Sequence, residues 1–409
     1  MSAVTKSKAL ELPRDPLVAE MASGQPRSDH RQLEILANRF DPARRAAVRR
    51  LLFSSSRLAD LALVFPGALY ALAARQGPAT RRRKALELIE RGAPLKVVAQ
   101  TLELPLWLRR LPPEAFDGPI VGVPQSEVFG RRIANHLPRT GDDYAFWLRT
   151  VCFGAKACDE YFALWLAQQP IFSEAGDPER LFGVLAAYAW FSSADASSAH
   201  NLIVVAWRPE MALDTAVCAA KSWLNRLRLV LQLRDGTISD PWLEAGEARG
   251  LSFVPLIEEE QILAEAHAMQ NCADQYADRL AREKCRLFSV RRRGVRLATL
   301  EIGPHPREAG VLAITQLKAR HNMPASAEVW QSAHAWLGTQ KGLKRLPVLA
   351  LPDRPLDQDH WQSLMIGYRS RKRGAAWLPE TASRDSFAGL DRDIAELARR
   401  AGITSWLFT

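Results

Sequence analysis

No stretch of this 409-residue sequence supplies the run of about 20 apolar residues that a membrane-spanning helix needs. The opening MSAVTKSKALELPRDPLVAE is too charged, and too often broken by proline, to read as a secretory signal, which makes the cytoplasm the default compartment. Cysteine is sparse. The five thiols (Cys152, Cys158, Cys218, Cys272 and Cys285) are scattered with no C-x-x-C pair, so neither a disulfide framework nor a thiolate zinc site is indicated. Also missing are a GxxxxGK[ST] phosphate loop, a GxGxxG opening a helix, HExxH and GxSxG. These absences exclude a P-loop nucleotide machine and the common zinc hydrolases, and no metal or cofactor is expected.

What is present is a globular composition, 47% hydrophobic and 24% charged, on a chain too long for one core. The net charge of +10 is unevenly spread. Residues 284–373 hold 17 lysines and arginines against 6 acidic residues, an excess of 11 that accounts for the whole imbalance. Concentrated positive charge attracts polyanions, of which nucleic acid is the commonest in cytoplasm.

Four parts are expected along the chain. Residues 1–35 are polar and interrupted by proline and read as a mobile tail. Residues 36–245 read as a mainly α-helical N-terminal domain. Within it, DPARRAAVRRLLF begins with Asp41 as an N-cap and Pro42 at the first helical position, and RLADLALVFPGALYALAAR is apolar and broken at Pro66-Gly67. PLKVVAQTLELPLWLRRL resembles a helix-turn-helix, with Glu103 where the turn usually has glycine. The alternative is a small helical hairpin with Leu95, Val98, Leu102 and Leu108 in its core. Aromatic residues from Tyr144 to Trp223 recur at helical spacing and read as buried stripes of one bundle.

Residues 246–340 read as a smaller α+β domain. FVPLIEEEQILAEAHAMQ is expected as a helix, followed by an antiparallel three-stranded meander packed by helices, in which CRLFSVRRRGVRLATLEI gives two strands and GVLAITQLKARHN a third. Alternation places Phe288, Val290, Ala298, Leu300, Ile302, Leu312 and Ile314 on one face, with Gln316 continuing it, and the helical segment bearing Cys272 is expected to seal that face. SAEVWQSAHAWLG is a further helix from Ser326 with Gly338 as its C-cap. Residues 341–409 read as a basic extension ending in a helix.

HAMQNCADQYADRLAREKC raises a question of chemistry. If residues 258–284 form one helix, Cys272 is a small core residue. If the helix breaks at Asn271, Cys272 stands at the start of a second helix, where a thiol is more acidic, with His267 or His321 as a base. The run AEAHAMQNCADQYADRLAREKCRLFSV, followed by RLATLEI and ITQLKARHN, resembles the PcfJ-like family associated with plasmid conjugation and mobile elements. The residues that carry the resemblance are Cys272, Tyr276, Thr299, Leu300, Glu301, Gln316 and Asn322, over about residues 257–336. The chain departs from the pattern at Gln270-Asn271, where the family usually has histidine, and at Ala319-Arg320 in place of a glycine.

Cys272, Tyr276, Gln316 and Asn322 are thus the candidate catalytic or ligand-binding residues, or else a structural hydrogen-bond network tying helix to sheet. The candidate nucleic-acid contacts are Arg291, Arg292, Arg293 and Arg296 at the hairpin, Lys318 and Arg320 after the third strand, and Arg369, Arg371, Lys372 and Arg373 in the extension. The resemblance implies a cytoplasmic, nucleic-acid-associated accessory protein. An enzyme using Cys272 and a Gln316/Asn322 pocket, and a scaffold for protein partners, are the alternatives.

Overall fold

The computed structural model describes residues 26–139, 143–170, 176–193, 199–233, 238–344, 355–372, 375 and 377–403. The chain folds as two compact units, Met1–Pro178 and Glu179–Thr409. The first 25 residues of the expected tail lie outside the described residues, and the next ten belong to a helix.

The first unit is helical: α1 (Pro26–Asn38), α2 (Arg45–Ser54), α3 (Ser56–Val64), α4 (Pro66–Ala73), α5 (Ala79–Glu90), α6 (Leu95–Leu102), α7 (Glu127–Arg132), α8 (Tyr144–Ala157) and α9 (Glu160–Leu166). Asp41 and Pro42 form a turn ahead of α2 instead of capping it, with Asp41 Oδ1 accepting from the Ala43 amide at 3.0 Å. The break at Pro66 is present: α3 ends at Val64, Phe65 leaves helical geometry and Pro66 opens α4. After α6, Glu103 takes a left-handed backbone (φ 56°) and the next element is a five-residue 3-10 turn, Leu106–Arg110, with Trp107 and Leu108 buried. So short an element with its centre in the core presents no recognition helix, and Val98, Leu102 and Leu108 are core residues.

The second unit contains α10 (Pro178–Ser193), α11 (Leu213–Leu233), β1 (Gly246–Ala248), β2 (Leu251–Leu256), α12 (Glu259–Met269), α13 (Ala277–Ala281), β3 (Arg286–Arg292), β4 (Val295–Pro304), β5 (Leu312–Ala319), α14 (Ala327–Thr339), α15 (Gln358–Arg371) and α16 (Arg384–Arg400). The class is the expected one, helical plus α+β. The division falls at Pro178, not near 245, because α11 is bonded into the sheet unit: Arg226 pairs with Asp274 at 3.1 Å and Gln232 Nε2 donates to Asp278 at 3.0 Å. The expected extension is likewise integral, with Lys221 and Arg228 of α11 both paired to Asp391 of α16. The aromatic row therefore serves two cores. Trp147 packs in the first unit, whereas Phe191, Trp223 and Tyr368 form ring contacts in the second.

The sheet is an antiparallel meander of five strands in the order β1-β2-β3-β4-β5, where three were expected. Two strands escaped notice because β1 is three residues long and β2 contains Pro255, which reads as a helix start. Proline is tolerated there because β1 pairs only as far along β2 as Phe253, leaving Pro255 at a free edge. The β3–β4 hairpin turns on two residues, Arg293 (φ 49°) and Gly294 (φ 82°), the geometry that matches strand twist.

The sheet is covered on both faces. On one, Phe253, Phe288, Val290, Leu300 and Ile302 pack against Val329, Ala333 and Trp336 of α14, with the Trp336 and Phe253 rings stacked at 4.6 Å. On the other, Leu256 and Leu287 pack against Ile262, Ala266, Ala273, Ala277 and Leu280 of the α12–α13 hairpin. The segment bearing Cys272 thus covers the face opposite to the one expected, and α14 seals the Phe288 face. Gln316 also changes sides. Ile302 pairs with Ile314 but Glu301 pairs with Gln316, so Thr315 is an extra residue, a bulge that reverses the alternation. A Cβ on Gly303 would lie 2.9 Å from Thr315 Cγ2, so the close approach at the bulge requires glycine.

Candidate functional site

The polar face is built by a helix that stops early. α12 starts with a capping box between Glu258 and Gln261 and ends at Gln270, whose left-handed backbone (φ 48°) turns the chain. The break thus falls one residue before Asn271. Asn271 Oδ1 then accepts from the Ala273 amide at 3.1 Å and starts a 3-10 turn, Ala273–Gln275, with Cys272 just before it. Across the sheet, β5 runs into a tight loop in which His321 and Asn322 have φ of 58° and 57°, and this loop carries Asn322 back to Cys272.

The four candidate residues are brought together in two pairs. The Cys272 thiol donates to Asn322 Oδ1 at 3.7 Å. The Tyr276 hydroxyl lies 2.8 Å from both Glu301 Oε2 and the Gln316 side-chain amide. One hydroxyl proton serves one acceptor, so Tyr276 donates to the carboxylate and accepts from Gln316 when the amide presents its NH2 group.

Glu301, buried at 4% exposure, is the centre of the second pair. It accepts from Tyr276, from both terminal nitrogens of Arg279, and from Thr315 Oγ1 at 2.6 Å. Burial alone would raise the Glu301 pKa. The hydrogen bonds from Arg279, Thr315 and Tyr276 outweigh it and hold the carboxyl below its usual value. Arg279 in turn lies over the Tyr276 ring, 4.9 Å from its centroid. A second carboxylate, Glu265 of α12, has no exposed surface and accepts from Arg296 Nε and Thr299 Oγ1, each at 2.9 Å. Thr299 accepts from Asn271 Nδ2 at 2.8 Å, which ties the helix break to β4.

Glu265, Asn271 and Arg279 were not singled out as candidates from the sequence. The available signal was RLFSV, whose nearly continuous apolar run marks a strand covered on both faces.

Chemically, the arrangement holds its protons. Burial raises the Cys272 thiol pKa, and the negative charges of Asp274 and Glu301 reinforce this against Lys318. Tyr276 is raised by burial and then by Glu301. Glu301 is occupied on both oxygens and the thiol is bonded to an amide oxygen, so the cluster clasps the helical hairpin to the sheet, with His267 lining the same cavity as Cys272. No family model, curated protein or solved structure matches this chain.

Beside Cys272 and Asn322 opens a cavity of about 260 Å³, with Asn225 and Arg226 of α11 and Asp274 in its wall and Gln316 outside it. Among the described residues, no group of three or more His, Cys, Asp or Glu side chains is placed to hold a metal ion, and no helix is long and apolar enough to cross a membrane.

The basic candidates divide. Arg292 is paired with Glu328 and Arg296 with Glu265, and half-buried Arg291 donates to Ser289 Oγ at 2.9 Å. Arg369 donates to the Pro379 carbonyl, lies 6.0 Å from the Trp361 ring centroid, and has its pKa lowered by burial. Lys372 is half-buried at the end of α15, and Arg373 lies outside the described residues. Arg293, Arg320 and Arg371 are exposed and Lys318 half-exposed, and these four make no ion pair with a described residue.

Proposed function

We propose that this protein is a PcfJ-like accessory protein that associates with nucleic acid in the cytoplasm, in the setting of plasmid or other mobile-element biology. The observation that carries the reading is the segregated positive charge of residues 284–373, within which Arg293, Lys318, Arg320 and Arg371 are not neutralised by a described carboxylate. Such groups bind the phosphate backbone, which positions a protein without reading sequence. The resemblance over about residues 257–336 supports the family, and the engaged partners of Tyr276, Glu301 and Gln316 support a structural part for them.

Filter binding of the full chain to DNA and RNA across a salt series tests the proposal. Affinity is expected to fall linearly on a log–log scale with salt. Replacing Arg293, Lys318 and Arg320 with alanine is expected to flatten that slope by up to about 3. Binding that is absent at low ionic strength, or indifferent to salt, ends the reading.

A further inference from the structure

The cavity beside Cys272 has walls that are polar and incompletely bonded. Asn225 is 5% exposed, lines the cavity, and has no side-chain hydrogen bond with any described residue. Buried amides ordinarily find a partner. Arg226, 7% exposed, gives its Nε to Asp274 Oδ2 at 3.1 Å, while its two terminal nitrogens have no described partner. Asn322 uses its oxygen to accept the Cys272 thiol and leaves its NH2 unengaged. These donors line one space of about 260 Å³, enough for several waters or one small molecule.

The donors in the wall indicate what kind of molecule. Arg226 is paired with Asp274 through Nε alone, which leaves the far end of its guanidinium toward the cavity. A guanidinium with both terminal nitrogens unengaged is a fork suited to two oxygens of an oxyanion.

We propose that this cavity binds a small molecule through its carboxylate or phosphate group, with Arg226 gripping two oxygens and the amides of Asn225 and Asn322 donating beside it. The site is independent of nucleic-acid binding.

The test is thermal unfolding of the full chain at constant ionic strength with inorganic phosphate and, separately, succinate, each up to about 10 mM. At least one is expected to raise the melting temperature, and which one does so separates a phosphorylated from a carboxylate ligand. Asn225→Ala is expected to melt like the unliganded wild type, and Asn322→Ala, whose left-handed backbone (φ 57°) disfavours alanine, somewhat lower; measured against its own unliganded form, each is expected to weaken the effect at least about tenfold. No shift with either anion, or a shift unchanged in both variants, overturns the site. So does loss of folding in Asn225→Ala, which would mean that the amide already carries a structural bond.

Discussion

The two faces of the five-stranded sheet are closed by different physics. Under α14, stacked rings and aliphatic side chains leave Trp336 with no exposed surface. Under α12 and α13, two carboxylates, a threonine and a tyrosine sit among small apolar residues, each charge met by an arginine. The first face tolerates loss of shape badly and has no charge to lose. The second tolerates small changes in volume but not the removal of one member of a bonded set, since a buried charge left alone is costly.

The largest expected effect breaks the apolar side. Trp336→Ala should cost about 3–5 kcal/mol and lower the melting temperature of the C-terminal unit by roughly 10 °C, as read by calorimetry. A change of only a few degrees would mean that the rings add little beyond their neighbours. Next, Glu301→Gln strands Arg279 and weakens three donors' contacts, at about 2 kcal/mol near neutral pH. The pH dependence of this loss has a definite sign. Because the Glu301 pKa lies below its ordinary 4.5 in the folded state, its contribution is present above pH 4.5 and disappears as pH falls below that value. Denaturant titrations across that range should therefore show a flatter acid limb in Glu301→Gln than in the wild type. An identical limb would remove Glu301 from the account of this face.

The smallest effect concerns the sulfur. Cys272→Ser should change stability by less than about 1 kcal/mol. Iodoacetamide at neutral pH should label Cys272 several-fold more slowly than a free cysteine peptide and speed up as pH rises, because burial raises the thiol's pKa. Rapid selective labelling at neutral pH, followed by peptide mass spectrometry, would instead make this a reactive centre and the polar face a catalytic one.

The sequence disclosed the helical-plus-α+β class and offered Cys272, Tyr276, Gln316 and Asn322 as one cluster, which the fold divides into two pairs. The class was legible because the helix-stop and strand patterns are local. What it hid depended on pairing partners. The Thr315 bulge is visible only once Glu301 is set opposite Gln316, and without it the alternation from Leu312 puts the amide on the wrong face. Pro255 disguised β2 as a helix start until its place at a free edge was known. The basic segment was legible as charge, but the division between engaged Arg292 and Arg296 and exposed Arg293 is a matter of which carboxylates the fold brings near.

Gly303 acts on its neighbour through bulk it does not have. Any larger residue would press on the Thr315 side chain in β5, which would have to turn, and with it the hydroxyl from which Glu301 accepts. A methyl group added on one strand would thus be felt at a carboxylate two residues away, by way of the strand beside it.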